Sequence, residues 1–466
     1  MHQVSVVDLK MKYQFCRKEG NGSMAAVRMT EGSIAKHLIT YSIPLILGNL
    51  FQLTYNAVDS IIVGRFIGKE ALAAVGTASP VMNIMVLGIS GICIGASVLM
   101  SGFFGAGNEE MVKREMATTA VFGVYFSLII ALLGLLGAEP MLRALKVPEE
   151  IMGISVTYLR LIFLGVPFTF FYNAVSSAMK SVGDSKTPLT FLVVASVLNA
   201  GLDIILIGVF HLGIVCSAMT TVVAQAVSAV LCIWYVYKRV PLLQVGRGEF
   251  RIDRDLLRQT LQYGGVTALQ QSCQPVGKLL IQGAVNPLGI DMMAAFNAVN
   301  RVDDYACTPQ QSISNGITTF IAQNRGAGEN KRVKGGLMAG LCLSFGYWIF
   351  IGTAVTVFKE PIMRLFVAEE GSGVIGQGCA YLALMAVFYI FPGFTNGMQG
   401  YFRGMGQMKM TLLCTIIQIS FRVLFVYLLV PEMGIRGVAI ACAIGWSAML
   451  LVQFPYAYYT GKRRGL

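Results

Sequence analysis

Long apolar segments recur along the chain. Seven of them hold 20 or more residues with almost no charge, namely 81–103, 116–137, 187–210, 212–237, 337–358, 410–431 and 437–459. A helix of that length crosses a hydrocarbon core of about 30 Å. Together with more polar segments of similar length they give twelve predicted spans, near 34–63, 70–104, 112–138, 151–179, 187–210, 213–237, 256–285, 291–324, 335–358, 374–402, 410–431 and 434–459. The pattern predicts an all-α polytopic membrane protein.

The twelve predicted spans form an internal repeat. When the sequence is shifted by 221 residues, segment 68–74 lies over 289–295, and segment 105–107 lies over 326–328 without a gap. Each half therefore holds six spans in the same order, and both halves begin on the same side of the membrane because six is even. We predict two six-helix lobes related by a pseudo-twofold axis along the membrane normal, a plan typical of alternating-access transporters. The alternative is a structural duplication without transport.

Charged residues are scarce and unevenly placed. They make up 13% of the chain, with a net charge of +12, against roughly 25% charged residues in soluble domains. Of the 36 basic residues, 25 fall in the termini and the even-numbered connections, and seven fall in the odd-numbered connections. This positive-inside asymmetry predicts a multi-pass protein of the cell (cytoplasmic) membrane with both termini in the cytoplasm. Contact with anionic lipid then accounts for the basic charge, and no nucleic-acid partner is expected.

The chain divides into five predicted regions. They are a disordered or misannotated N-terminal extension (1–30), an N-terminal six-helix lobe (31–240), a cytoplasmic interlobe linker (241–255), a C-terminal six-helix lobe (256–460) and a basic cytoplasmic tail (461–466). The first 28 residues contain no apolar stretch of the kind found in a secretory signal.

The first span carries a row of polar residues on one face. Asn49, Gln52, Asn56 and Asp59 fall within an arc of about 80° at the helical period. A carboxylate at mid-bilayer costs about 2.5–3.5 kcal/mol on insertion scales, so it usually faces a cavity or carries function. Pro44 precedes the row and lacks a backbone donor, so it can kink or locally open the helix. The alternative for Asp59 is an interfacial position near the end of its span.

A second intramembrane acid lies on the fifth span, where Asn199 and Asp203 are one turn apart on the same face. The repeat places Leu280 and Leu424 at the positions that correspond to the two acids, so we expect the ion chemistry in the first half. Two nearby carboxyl groups in a low dielectric resist joint ionisation and can relay a proton. Their oxygens also suit Na⁺, held by Asp59, Asn199 and Asp203. The sequence does not decide between H⁺ and Na⁺ as the coupling ion. The alternative role for Asp203 is a hydrogen bond between helices.

The second half has its own polar set. Gln270 and Gln271 lie on the seventh span, and Arg301, Asp303 and Asp304 lie on the eighth. An internal Arg–Asp pair that braces the lobe is one interpretation, because positions 301 and 304 share a helix face. A second proton or substrate site is the other.

Cysteine and histidine do not indicate a metal centre or an enzyme. The ten cysteines form no CxxC pair, and the three histidines are scattered. No nucleophile–base pair or HExxH motif is present. We therefore expect no enzyme activity and no cofactor beyond a coupling ion.

These residues together resemble the multidrug and toxic compound extrusion (MATE) family, and within it the bacterial DinF-like branch. The resemblance covers about 30–460 and rests on Ser42-Ile43-Pro44, Asp59, 63–68 running into 71–74, 105–107, Gly183-Asp184 and Asn199 with Asp203.

The resemblance implies a V-shaped cavity between two six-helix lobes and export of organic cations and drugs in exchange for H⁺ or Na⁺. It implies that Asp59, Asn199 and Asp203 bind the coupling ion, and that Pro44 is the bend that responds. The polar row on the first span adds the amide of Asn56 to this ion-coupling set. It also places further ligands near Tyr158 and Thr221. We expect a monomer in the lipid bilayer, with a substrate cavity formed by Asn49, Gln52, Tyr158, Thr221, Gln270 and Gln271.

The sequence also departs from some members of this family. A seventh-span Glu is replaced by Gln270-Gln271, and a tenth-span Asp is absent from 374–402. Ion coupling in the second lobe would therefore need Asp303 or Asp304 as a substitute. The alternative functions are a flippase or exporter for a lipid-linked or other endogenous metabolite, a membrane-embedded enzyme, and a channel.

Overall fold

The computed structural model describes residues 26–210, 212–246, 248–366 and 372–463, and this part of the chain is almost entirely helical. The first half contains α1 (Ile34–Phe66), α2 (Lys69–Gly105), α3 (Glu109–Ala144), α4 (Glu149–Leu164), α5 (Val166–Ser181), α6 (Lys186–Asp203) with a π-helical extension (Ile204–Val209), and α7 (Ile214–Arg239). The second half contains α8 (Arg254–Val285), α9 (Ile290–Gly326), α10 (Asn330–Phe366), α11 (Ser372–Phe388), α12 (Ile390–Gly404), α13 (Met408–Met433) and α14 (Ile435–Arg463).

Twelve membrane spans follow from these helices. Eight single helices are long and apolar enough to cross a bilayer, and the bent pairs α4–α5 and α11–α12 add two. The remaining two, α8 and α9, have 32 and 37 residues but a more polar surface. Both lie against the other lobe, so part of their surface avoids lipid. The predicted fold of twelve helices in two lobes is confirmed.

The predicted duplication recurs in the turns and bends. The pairs α4–α5 and α11–α12 bend by 42° and 43°. Gly107 and Gly328 follow the second span of each half with φ values of 72° and 74°. These values lie in the left-handed region that favours glycine. Equivalent turns in both halves therefore require the same residue type.

The lobes meet through glycines. We call the membrane face that carries the connection between α7 and α8, and both described chain ends, the linker face. Toward this face a Cβ added to Gly95 of α2 would lie 2.5 Å from the backbone nitrogen of Gly264 in α8. A Cβ added to Gly105 would lie 1.9 Å from the carbonyl oxygen of Gln323 in α9. The backbones are therefore in direct contact at these positions, which leaves no room for water between them.

Polar contacts from α1 continue this interface. The Tyr41 hydroxyl donates to the Lys180 carbonyl at 3.0 Å and bonds the Thr319 hydroxyl of α9 at 3.0 Å. Further along α1, Asn49 donates to Ser312 at 3.0 Å. The helix that carries Asp59 is thus also part of the contact between the lobes.

The two ends of the described chain differ from the predicted regions. Residues 1–25 of the predicted extension lie outside the described residues, but Met29 is buried and its N–H donates to the Gln323 side chain at 2.9 Å. Residues 26–30 therefore belong to the lobe interface, held by backbone contacts that an apolar pattern does not reveal. At the other end, 461–463 continue α14, and 464–466 lie outside the described residues.

The glycine contact between α2 and α8 gives the first testable expectation. Gly95→Val should lower the thermal stability of the purified protein, because overpacking a tight interface costs typically about 1–3 kcal/mol. Gly88→Val in the same helix is the matched control, since a Cβ there meets nothing within 4 Å. Unfolding in detergent, followed by temperature-dependent fluorescence, measures both. Equal midpoints for the two variants would contradict the importance of this contact.

Candidate functional site

The intramembrane polar residues of the first half converge where α1, α4, α6 and α7 meet. Asn199 and Asp203 on α6 are both fully buried. Their spacing of four residues in a helix points both side chains toward α1 and α7. The predicted pair on the fifth span therefore faces the interior of the first lobe and not lipid.

Asn199 is held by a residue of α1. The Tyr55 hydroxyl donates to Asn199 Oδ1. Tyr55 lies four residues before Asp59, so both side chains share one face of α1. This contact fixes the amide and joins α1 to α6.

Asp203 is held by a residue of α7. The hydroxyl of Thr220, which is 2% exposed, donates to Asp203 Oδ1 at 2.5 Å. A hydrogen bond to a charged acceptor is short and strong, so this donor supports the ionised carboxylate. Tyr158, buried on α4, lies close to both Asp59 and Asp203.

The two carboxyl groups face one another. Asp59 and Asp203 are close enough for one to donate a hydrogen bond to the other when either is protonated. Asp59 Oδ1 and Asp203 Oδ2 are buried and have no hydrogen-bond partner among the described residues, and the same holds for Asn199 Nδ2. Buried polar atoms without partners are costly. A proton shared by the carboxyl groups, or a small cation between them, would remove this cost for the two carboxyl oxygens.

Two residues of this site were missed by the sequence reasoning. Thr221, the predicted ligand, instead donates to the Ser217 carbonyl of its own helix at 2.9 Å, and its neighbour Thr220 reaches Asp203. The one-residue error arises because the rotation of α7 depends on packing. Tyr55 could have been found from its i,i+4 spacing to Asp59, whereas Thr220 had no comparable signal.

The other predicted residues of α1 differ from Asp59 in exposure or in their contacts. Gln52 and Asn56 are exposed, and Asn49 is used in the contact with Ser312. Helix α1 continues through Pro44 without a break. The bend attributed to Pro44 is thus not a helix interruption in this state.

The polar set of the second lobe forms pairs between neighbouring helices. Asp304 pairs with Lys278 of α8 at 2.7 Å, whereas Arg301, its expected partner, is exposed. The helix spacing allowed the Arg301 pair, but packing brings Lys278 closer. Asp303 accepts a hydrogen bond of 2.5 Å from Tyr389 and lies near Arg422. These acids already have partners, unlike the facing oxygens of the first-lobe pair.

The glutamines predicted to line the cavity are also in the second lobe. Gln270 donates to Gln399 of α12 at 3.2 Å, and Gln271 is partly exposed. They lie on α8, across the lobe interface from the carboxyl pair. The structure therefore does not unite all predicted site residues in one cluster.

The chemistry of the first-lobe site follows from its donors. It offers carboxylate, amide and hydroxyl oxygens, which are hard ligands, together with a carboxyl pair that can hold one proton. The described residues contain no cluster of His, Cys, Asp and Glu of the kind that holds a transition metal. The arrangement suits reversible binding of H⁺ or Na⁺.

Comparison with known proteins agrees with the repeat. The sequence model of the MatE family matches this chain twice, over residues 44–205 and again over 267–428. The two matches have equal length and fall in the two lobes. Each lobe is therefore one copy of the family unit.

Individual relatives extend over nearly the whole chain. The "Probable multidrug resistance protein YpnP" of Bacillus subtilis is 29% identical over 94% of this chain and 97% of its own length. The "FAD transporter" of Shewanella oneidensis is 24% identical over 82% of this chain and 86% of its own length. A solved structure described as the outward-facing conformation of a multidrug resistance MATE family transporter has a TM-score of 0.89 at 22% identity, covering 96% of this chain and 100% of that one.

The adjacent threonines of α7 provide a test of the site geometry. Thr220→Val should destabilise the purified protein by about 1–3 kcal/mol, because Asp203 loses its donor. The loss should be larger at alkaline than at acid pH, since a charged carboxylate needs the donor most. Thr221→Val is the matched control and should have little effect. Thermal unfolding of both variants at several pH values measures these effects. Equal losses of stability that do not change with pH would contradict the assignment of Thr220.

Proposed function

The chain belongs to the MatE family, and we propose that it is a secondary active multidrug efflux antiporter that exports amphipathic cationic compounds in exchange for H⁺ or Na⁺. Members of this family are transporters, so the protein is a transporter and not an enzyme. The observation that carries the proposed mechanism is the facing pair Asp59 and Asp203, whose free oxygens are buried inside the first lobe. We assign this pair to the coupling ion.

We propose that the linker face is cytoplasmic and that the protein lies in the cell membrane. Basic residues are concentrated in the termini and in the even-numbered connections, which lie on this face. Lys and Arg in short loops set orientation through this bias. The lobes are in contact on the cytoplasmic side, which corresponds to an outward-facing state.

Ion binding can act on the lobes through α1. Asp59 on this helix faces Asp203 on α6, while Tyr41 and Asn49 on the same helix contact α9 of the other lobe. A proton or Na⁺ that satisfies both carboxyl groups draws α1 toward α6. Because such an ion binds one arrangement of α1 better than another, it shifts the equilibrium between outward- and inward-facing states.

Pro44 lies between these two interface contacts of α1. It has no N–H to complete the helical ladder, so bending at this position breaks no additional hydrogen bond. We propose that α1 flexes here when the ion binds, with Tyr41 held against α9. Coupling of ion and substrate then follows, because movement of α1 changes the cleft into which Gln52 and Asn56 are exposed.

A substrate with positive charge fits the same region. Asp59 is only partly buried, and the polar face of α1 beside it is open. A bound cation would favour ionised carboxyl groups and so compete with the proton, which is the thermodynamic basis of exchange. Amphipathic compounds would reach this cleft from the membrane or the cytoplasm.

Export of an endogenous metabolite is the second candidate function. The FAD transporter relative is named for an anionic cofactor. The second lobe of this chain also places Lys278 and Arg422 close to Asp303 and Asp304. Such a mixed charge set could hold an acidic group of a metabolite, including a lipid-linked one.

Everted membrane vesicles can test the primary proposal. Accumulation of a fluorescent organic cation should be driven by an imposed gradient, acid inside or high Na⁺ inside, and the effective gradient identifies the ion. Asp59→Asn and Asp203→Asn should each reduce ion-driven accumulation to the level of vesicles lacking the protein, because each removes one carboxyl group of the pair.

Asp291→Asn serves as the control for these variants. Asp291 is an exposed acid at the start of α9, so its loss should leave accumulation unchanged. Undiminished ion-driven transport in both Asp59→Asn and Asp203→Asn would show that the pair is not the coupling site.

A further inference from the structure

Another buried carboxyl group lies outside the ion site, at the contact between the lobes. Glu115 on α3 is 0% exposed. Its Oε1 accepts a hydrogen bond of 2.5 Å from Thr260 of α8, in the other lobe, and one of 3.2 Å from Thr119 of its own helix. The side chain is therefore a direct link between the lobes, about two helical turns from the linker face.

No basic side chain forms an ion pair with Glu115 in the part of the chain that the structure describes. The charged group facing it from the start of α8 is Asp253, which is itself acidic. Arg114, the adjacent residue on α3, points instead to Asp253 at 2.6 Å. Glu115 Oε2 is buried and has no hydrogen-bond partner among the described residues. The hydrogen-bond partners of this carboxyl group, among the described residues, are thus two threonine hydroxyls.

Water is excluded from the same place. Thr260 lies one turn before Gly264, where α8 touches α2 backbone to backbone. A Cβ on Gly95 of α2 would also lie 3.0 Å from the carbonyl oxygen of Thr260. Closing the lobes at these glycines therefore removes the solvent that an ionised carboxylate needs. An ionised carboxylate buried without a counter-ion is disfavoured by several kcal/mol.

We propose that Glu115 is a second proton-binding site, which holds the lobes together on the linker face when it is protonated. We call the contact between Glu115 and Thr260 the latch. In the closed interface the carboxyl group carries a proton and bridges the lobes through Thr260. When the lobes part, the group meets cytoplasmic water and releases the proton, because a hydrated Glu ionises well below neutral pH. The inference rests on the alternating-access function proposed above.

The latch adds no transported charge. Its proton is taken up from the cytoplasm on closing and returned to the cytoplasm on opening, whereas the Asp59–Asp203 pair exchanges its ion across the membrane. The repeat offers no symmetric copy, since the position equivalent to Glu115 is Gly336. Acidification of the cytoplasm should therefore favour the closed interface, and alkalinisation should favour its opening.

Distances between the lobes test the latch. Spin labels at Glu109 of α3 and Lys331 of α10, both exposed on the linker face, can be read by double electron–electron resonance after accessible native cysteines are replaced by serine. In the otherwise unmodified chain, the ratio of closed to open populations should fall by up to about tenfold per pH unit as pH rises. Glu115→Gln, a neutral isostere, should keep the lobes closed over the whole range.

Three further variants make the result decisive. Glu110→Gln, an exposed neighbour, should retain the pH response of the parent chain. Thr260→Val should raise the open population at every pH yet retain the pH response. This variant tests the contact between the lobes if Glu115→Gln does not fold. Asp59→Asn removes any contribution of the coupling site to the lobe equilibrium, and it should retain the part of the pH response that depends on Glu115, which separates the latch from the coupling site.

Two outcomes would overturn the latch. One is an unchanged pH response in Glu115→Gln, and the other is a parent chain whose lobe distance does not respond to pH. Loss of the response in Asp59→Asn with retention in Glu115→Gln would assign the effect to the coupling site. Ion-driven efflux is measured separately in vesicles, so failure of the antiport proposal would appear there without altering the distance result.

Discussion

A carboxyl group inside a membrane protein must obtain a proton, a cation or enough hydrogen-bond donors, because hydrocarbon and packed protein supply no water. This protein meets that constraint in three ways. Asp303 has the Tyr389 hydroxyl and nearby Arg422. Glu115 has Thr260 across the lobe contact and Thr119 on its own helix, and Asp59 and Asp203 face one another. The degree to which each acid is satisfied separates a bracing interaction from a site that can bind and release an ion.

Helix α1 connects the ion site to the lobe interface. Toward its C-terminal end α1 meets α6 through Tyr55 and Asp59. Nearer its N-terminal end it contacts α9 through Tyr41 and Asn49. The glycine contacts of α2 hold the neighbouring interface closely, so small displacements of α1 are not absorbed by loose packing. Local ion binding and rearrangement of the two lobes are therefore linked by one continuous helix.

The sequence was sufficient for the architecture because the bilayer restricts the possibilities. Apolar length and the repeat predicted twelve spans, and even the polar helices α8 and α9 were placed correctly by their counterparts in the first half. Asn199 and Asp203 could be placed on one face because four residues make about one turn. Thr220, the Lys278–Asp304 pair and the burial of Met29 could not be predicted, since each depends on how one helix is rotated or docked against another.

The even number of spans in each half has a consequence for how the chain is laid into the membrane. Since α7 and α14 both end on the face where α1 and α8 begin, neither half reverses the other's orientation. The segment 254–463 could precede 26–239 without inverting any helix, given a connection from Arg463 to Ala26. The order of the two halves in the chain therefore does not set the orientation of any helix, and the two lobes are held together by the surface where they touch.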